Sequence, residues 1–320
     1  FTKNIKALRK QVGKNIALMP VIKSNAYGHG LVPVAQLCEA EPEVDRMCVA
    51  GLDEALTLVR SGITKPITVL SFFDFDKDVV AEAITSRRIS FPLYNLEQAQ
   101  FLETTATSLN CSVTVHLKVD TGTSRVGVLP SEAVSFCASL QKFSHLRLEG
   151  VFSHFSSSEE DKRVTAEQQY IFGEVVRALE NHAFSPEFKH IACSASTLLY
   201  KQTHENAVRP GIALYGLHPS TSTQKTTALA PVLSFKTKII ACKAVGKGTA
   251  IGYGQSYVTP KSTIIATLPI GYFDGFDRGF SNTGEVLIHG IRCRVRGRVC
   301  MNLTMVEVPK SIAARVKIGD

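Results

Sequence analysis

From about residue 16 to residue 216 the chain alternates between two textures. Short runs rich in Val, Ile, Leu and Phe (ALMPVIKS, MCVAGL, ITVLSFF, ISFPLYN, VTVHLKVDT, LRLEGVFSH, KHIACS and AVRPGIALYG) are separated by stretches whose apolar residues recur at helical spacing. DEALTLVRSG, LEQAQFLETTATSL and TAEQQYIFGEVVRALENH are the clearest helices. Eight strand–helix repeats in about 200 residues predict a (β/α)8 barrel, because an open doubly wound sheet more often uses five or six strands. The Ser-, Thr- and Pro-rich LHPSTSTQKTTALAP then reads as a linker. Beyond it VLSFKTKIIACKAV, STIIATLPIGY, GEVLIHGIRCRVRGRVC and LTMVEVP are β-type runs with Gly and Asn turns between them and no long helix. The expected organisation is a barrel over residues 1–222 and a smaller, mostly β C-terminal domain over 223–320.

Composition narrows the class. With 320 residues, 44% hydrophobic and 20% charged, the chain has the make-up of an ordinary globular protein of one large or two moderate domains. No apolar run approaches the roughly 20 residues of a membrane-spanning helix, and no charged-then-apolar leader opens the chain, so no membrane association is expected and a cytoplasmic protein fits best. The helix-like opening FTKNIKALRKQVG and the turn-like close VKIGD suggest a chain cut at both ends.

The net charge of +8 raises nucleic acid as a partner, but the lysines and arginines are scattered singly or in short pairs such as Arg87-Arg88. Without a basic block or a recognition motif, a small-molecule ligand is expected and nucleic acid is not. The eight cysteines form no CxxC pair and sit mostly in apolar segments, as reduced core residues do, so no metal site is expected. GxGxxG after the first strand, GxSxG, HExxH and the Walker A sequence are all missing, which argues against dinucleotide binding, acyl transfer and metal-dependent hydrolysis.

In a (β/α)8 barrel the chemistry collects at the carboxyl ends of the strands. Those ends carry Lys23, Lys118 with Asp120 and Arg125, His154, Ser194, and Arg209 with Gly211. Each has a plain explanation and a sharper one. Lys23 is either a snorkelling surface lysine or an amine able to form an imine with an aldehyde, the anchor that pyridoxal phosphate uses. His154 is either a satisfied core histidine or a ring laid against a flat cofactor. Ser194 is either a helix cap or a phosphate ligand, and Arg209-Pro-Gly211 either a strand end or a backbone approach to a phosphate.

The motif VIKSNAYGHG resembles the pyridoxal phosphate attachment motif of bacterial alanine racemases. HLKVDTGTSRVGV, VFSHFSS, HIACS, AVRPGIALYG, AIGYGQSY, LPIGYFDGF and GRVCMN follow in that family's order and extend the resemblance over nearly the whole chain. It implies a (β/α)8 barrel followed by a β domain, a head-to-tail homodimer with shared active sites, and interconversion of L- and D-alanine on pyridoxal 5'-phosphate. In a bacterium the D-alanine would supply peptidoglycan. By the resemblance, Lys23 is the Schiff-base lysine and one catalytic base, and Tyr253 is the second base, contributed by the other subunit. Tyr27, Ser194 and the backbone of Gly211 and Ile212 hold the cofactor phosphate. His154 lies against the ring, and Arg209, supported by His190, faces the pyridine nitrogen. Arg125 holds the substrate carboxylate, Met301 lines the substrate site and Tyr272 lies near its entrance. Lys118 matches a lysine that is carbamylated in some members.

The chain departs from the family pattern in three ways. Cys193 stands where Asn is common, and Asn302 stands where Asp commonly follows the Met. The family's first strand and its C-terminal strands, which carry a further active-site tyrosine, fall outside residues 1–320. The rival expectations are a racemase of broader or serine specificity, a decarboxylase on the same barrel, and a non-catalytic pyridoxal phosphate carrier. Arg209 speaks against the decarboxylase, which wants an acidic partner for the ring nitrogen, and Tyr253 speaks against the carrier.

Overall fold

A computed structural model describes residues 1–320. The chain divides into two compact units, Phe1–Leu233 and Ser234–Asp320. The division lies further along than the 222/223 junction expected from composition. The linker-like stretch is held to the first unit, where the Asn4 side chain bonds Ala230 and the Val232 N–H donates to the Tyr215 carbonyl.

Each of the eight apolar runs contributes one strand: β1 (Ala17–Leu18), β2 (Met47–Val49), β3 (Ile67–Val69), β4 (Ile89–Leu93), β5 (Val113–Lys118), β6 (Leu146–Phe152), β7 (Phe188–His190) and β8 (Ala207–Val208). All are parallel, in the order β1-β8-β7-β6-β5-β4-β3-β2. A parallel bridge between Val21 and Cys48 closes the circle, with the Cys48 N–H on the Pro20 carbonyl at 2.8 Å and the Ile22 N–H on the Cys48 carbonyl at 2.9 Å. Closure leaves no unpaired edge, which makes the sheet a barrel.

The helices between strands start where short polar side chains satisfy their first N–H groups. Asp76 caps Lys77–Ser86, Asn95 caps Leu96–Leu109 and Asp161 caps Lys162–Asn181. Their apolar faces and the outward faces of the strands form the core around the barrel, with Leu52, Leu56, Val80, Leu102 and Phe91 all buried. No helix is long and apolar enough to cross a membrane.

The second unit is mostly β. Strand β12 (Thr263–Leu268) pairs antiparallel with β9 (Ala241–Val245) and β15 (Thr304–Val308), and β13 (Glu285–Ile288) with β14 (Ile291–Arg294) forms a hairpin. Strands β10 (Ala250–Ile251) and β11 (Tyr257–Val258) form a short two-stranded ribbon. Leu268, Ile288, Val295, Val306 and Val308 make its core. The expected strand VLSFKTKIIACKAV forms only over its second half. Leu233 and Phe235 are exposed and no ladder runs beside residues 232–238, so the alternation there has no partner strand to satisfy it.

Candidate active site

Lys23 follows the last barrel residue of the first strand segment, where the chain makes an unusual turn. Ser24, Asn25, Ala26 and Tyr27 all have φ between 53° and 55°, a left-handed turn without a single glycine. Each such residue costs about 1–2 kcal/mol, so the surroundings must hold the turn. Glu54 does so: its carboxylate accepts the Ser24 N–H at 2.5 Å, the Asn25 N–H at 3.3 Å and the Ala50 N–H at 2.9 Å. The Asn25 side chain in turn accepts the Leu31 N–H at 2.8 Å. The turn swings Tyr27 back beside the segment that follows β8.

There Gly211 leaves room for the phenol. A Cβ at that position would collide with the Tyr27 hydroxyl, so its absence opens a small cradle beside the phenol. The Ser194 oxygen accepts the N–H groups of Gly211 at 2.8 Å and Ala213 at 3.2 Å, which leaves its own proton free to donate. Burial, and next the nearby Cys193, push the Tyr27 phenol above its ordinary value, so it also stays protonated as a donor.

These groups share one cavity of 290 Å³ lined by Lys23, Tyr27, His154, Cys193, Ser194, Arg209, Gly211 and Ile212. The seven residues expected around a cofactor therefore meet at the carboxyl ends of the strands. His154 is held well below its ordinary pKa by burial and then by the charges of Arg209, Lys118, Arg125 and Lys23, so its ring is neutral. Cys193 lies 3.1 Å from the Ser158 hydroxyl.

Behind the cavity, the barrel interior is polar. Arg209 is buried, donates to the Ser153 carbonyl at 2.6 Å and the His190 carbonyl at 2.7 Å, and also bonds His190 Nδ1. His190 Nε2 lies 2.9 Å from His116 Nδ1, and His116 Nε2 lies 2.9 Å from Glu149 Oε2. The two ends fix every proton between them. A guanidinium only donates and an ionised carboxylate only accepts, so Arg209 donates to His190, His190 to His116 and His116 to Glu149.

The surroundings of the rings agree. Burial, partly offset by Glu149, brings His116 down to about 4, and burial with the neighbouring Arg209 holds His190 well below its usual value. Both imidazoles are neutral at pH 7, so the His116–Glu149 contact is a hydrogen bond to a carboxylate, not an ion pair. Glu149 is partly desolvated, which opposes ionisation, yet the hydrogen bond from His116 and the charge of Arg46 hold it well below the usual carboxylate range. Burial lowers Arg209 to about 10, still cationic. Gly150 makes this packing possible, because a Cβ there would strike the His116 ring.

Lys118 ends β5, is 3% exposed, and its Nζ has no hydrogen-bond partner. Burial, then the charges of Arg209 and Arg125, bring it down to about 7. Arg125 is exposed in the following loop, which Asp120 pins through the N–H groups of Gly122 and Thr123. Tyr253, Tyr272 and Met301 belong to the second unit. Tyr253 is 71% exposed in a Gly-flanked turn, while Tyr272 and Met301 are drawn together by the Tyr272 and Phe273 N–H groups bonding the carbonyls of Cys300 and Met301.

Residues 1–219 match the family model described as alanine racemase, N-terminal domain, and residues 232–320 match that of the alanine racemase C-terminal domain. The chain belongs to the alanine racemase family. An alanine racemase of Halothermothrix orenii is 38% identical, over 99% of this chain and 82% of that protein. The solved alanine racemase of Clostridium difficile 630 superposes with a TM-score of 0.88 at 36% identity, covering 99% of this chain and 82% of the other. A histidine racemase of Leuconostoc mesenteroides subsp. sake gives 0.83 at 27% identity, covering 99% and 83%. The barrel and the small β unit read from the sequence are thus the family architecture.

Glu54, His116 and Glu149 escaped the sequence reading. Glu54 sits in DEALTL, where an acid on a helix normally faces water. The signal for the other two was present: Thr114, His116 and Lys118 alternate with Val113, Val115 and Leu117 along β5, and alternate residues of a barrel strand face the interior.

Proposed function

We propose that the protein interconverts L- and D-alanine with pyridoxal 5'-phosphate as cofactor, as a homodimer with shared active sites. The observation that supports this most directly is the cavity, in which an amine, three phosphate-type donors, a neutral imidazole and a buried guanidinium converge. The Gly211 cradle beside the Tyr27 hydroxyl suits a phosphate, with the Ser194 hydroxyl and the Ile212 N–H as further donors; the Gly211 N–H, which here donates to Ser194, would have to turn from it to join them. His154 would lie against the ring, Arg209 would face the pyridine nitrogen and Lys23 would hold the cofactor covalently. When bound, the cofactor acidifies the Cα–H of the attached amino acid.

The chain's own residues then decide the outcome. Racemisation needs a proton removed from one face and returned to the other, which calls for two opposed bases. In this reading Lys23 serves one face and Tyr253 of the partner subunit the other; the exposure of Tyr253 leaves it free for that task. Arg125 offers a planar fork for the substrate carboxylate, Met301 lines the site and Tyr272 guards its entrance. Arg209 keeps its proton, so nothing at that position protonates the ring, and prompt return of the substrate proton is favoured over decarboxylation.

The test is an absorption spectrum and a racemisation assay on purified protein. A band near about 420 nm that disappears in Lys23→Ala, with the highest kcat/KM for alanine, is expected. Protein without the band sinks the cofactor assignment. Cys193 in the cavity favours a broader substrate range as the second reading, so serine and histidine belong in the same assay, and either one outrunning alanine would establish it.

Lys118 carries a separate expectation. A buried amine near pH 7 in pKa and without a partner is nucleophilic enough to take up carbon dioxide: Nζ bonds the carbon, one C–O double bond opens and a proton leaves, giving a carbamate beside Arg125 and Arg209. Carbon-13 bicarbonate should therefore give a carbamate NMR signal that is missing from Lys118→Arg. A signal surviving that substitution would rule Lys118 out as its source.

A further inference from the structure

The opposite, amino-terminal end of the barrel carries a second cleft, of 430 Å³, where β2 to β6 begin. Four guanidinium groups line it, those of Arg46, Arg87, Arg88 and Arg147, against the single carboxylate of Glu149. Four positive charges and one negative leave +3 in a concave site, where low-dielectric walls strengthen the field.

Glu149 cannot neutralise this excess. Its Oε1 accepts Arg147 at 2.8 Å, and its Oε2 already takes Arg46 at 2.8 Å, Ser90 at 3.0 Å and His116 at 2.9 Å. No ion pair reaches Arg87 or Arg88; the Arg88 guanidinium bonds only the carbonyl of Thr64. Arg46 is 5% exposed, and its Nε–H has no acceptor anywhere in the protein. An unpaired N–H on a buried cation is costly and calls for an acceptor.

We propose that this cleft binds a small phosphorylated anion of the diphosphate type. Guanidinium forks match phosphate oxygens in bidentate geometry, and several of them together favour a multiply charged group over a single carboxylate. The Glu149 hydrogen bonds hold Arg46 and Arg147 in place before any ligand arrives, which lowers the ordering cost of binding.

Titration calorimetry with inorganic pyrophosphate tests this on protein first loaded with pyridoxal phosphate, so that the phosphate-binding residues at the other end are filled. Binding is read without turnover, so the result is independent of the substrate assignment. One saturable equivalent is expected, weakened about tenfold by Arg88→Gln and by Arg147→Gln, and weakened also by added salt. Lys261→Gln, an exposed lysine of the second unit, should leave it unchanged. Absence of saturable binding overturns the site, as does binding that ignores both arginine variants. Equal weakening by Lys261→Gln would also overturn it, because the attraction would then belong to the basic chain as a whole.

Discussion

Phenylalanine in place of Tyr253 is expected to slow racemisation by about 10²- to 10⁴-fold, the usual contribution of a positioned acid or base. The absorption band near about 420 nm should stay, since Lys23 and the phosphate donors are untouched. The decisive measurement is exchange of the α-proton with deuterated solvent. With one base gone, exchange should collapse from one enantiomer and persist from the other. Equal loss from both, together with loss of the band, would mean that Tyr253 supports the cofactor and is no base. Because Tyr253 is exposed, its hydroxyl carries little of the fold, and the thermal midpoint should barely move.

The second large effect concerns stability. Glu149→Ala removes the acceptor for Arg46, Arg147, Ser90 and His116 at once. Breaking a buried pair from one side typically costs about 3–5 kcal/mol, which for a unit of this size lowers the melting temperature by about 10 °C. Glu149→Gln keeps the shape and an acceptor oxygen and should cost less. A loss below about 1 kcal/mol for the alanine variant would show that the interior does not depend on this carboxylate.

Acid should act through the same groups. His116 has its folded pKa depressed from about 6.5 to about 4, and His190 and His154 shift in the same direction. A depressed value means that the folded protein binds fewer protons than the unfolded chain. The stability these groups contribute is therefore present above about pH 6.5 and is lost as pH falls toward 4, by about 3 kcal/mol for His116 alone. Glu149 adds a second loss below about pH 4.3, as its own depressed carboxyl is protonated. A melting temperature flat from pH 7 to pH 5 would contradict the neutral assignment of these rings.

How much of this was legible beforehand depends on which forces act locally. The strands were readable because a barrel strand buries its outward face, so Val113, Val115 and Leu117 must be apolar whatever else the chain does. The helix Leu96–Leu109 was readable to the residue from its apolar spacing; the structure adds Asn95 as its cap and Asn110 in the left-handed conformation at its end. The positions of Lys23, His154, Ser194 and Arg209 followed from the strand ends, and the cavity gathers them.

The left-handed turn at Ser24–Tyr27 was not legible. Nothing in SNAY calls for four consecutive positive φ values, and the groups that stabilise them lie on Glu54, about thirty positions away. Nor did spacing join His116 to Glu149 and His190; only parallel pairing of β5 with β6 and of β6 with β7 brings them together.

The line of donors from Arg209 to Glu149 has a consequence for where protons can travel. Each link already holds its single proton, and each points the same way. Moving a proton along the line toward Glu149 would require Arg209 to give one up, which its basicity forbids near neutral pH. Moving one the other way would require both imidazoles to flip and Glu149 to supply a proton it does not carry. This line of side chains therefore does not conduct protons. A proton released at the carboxyl-terminal end of the barrel has no way out along this line.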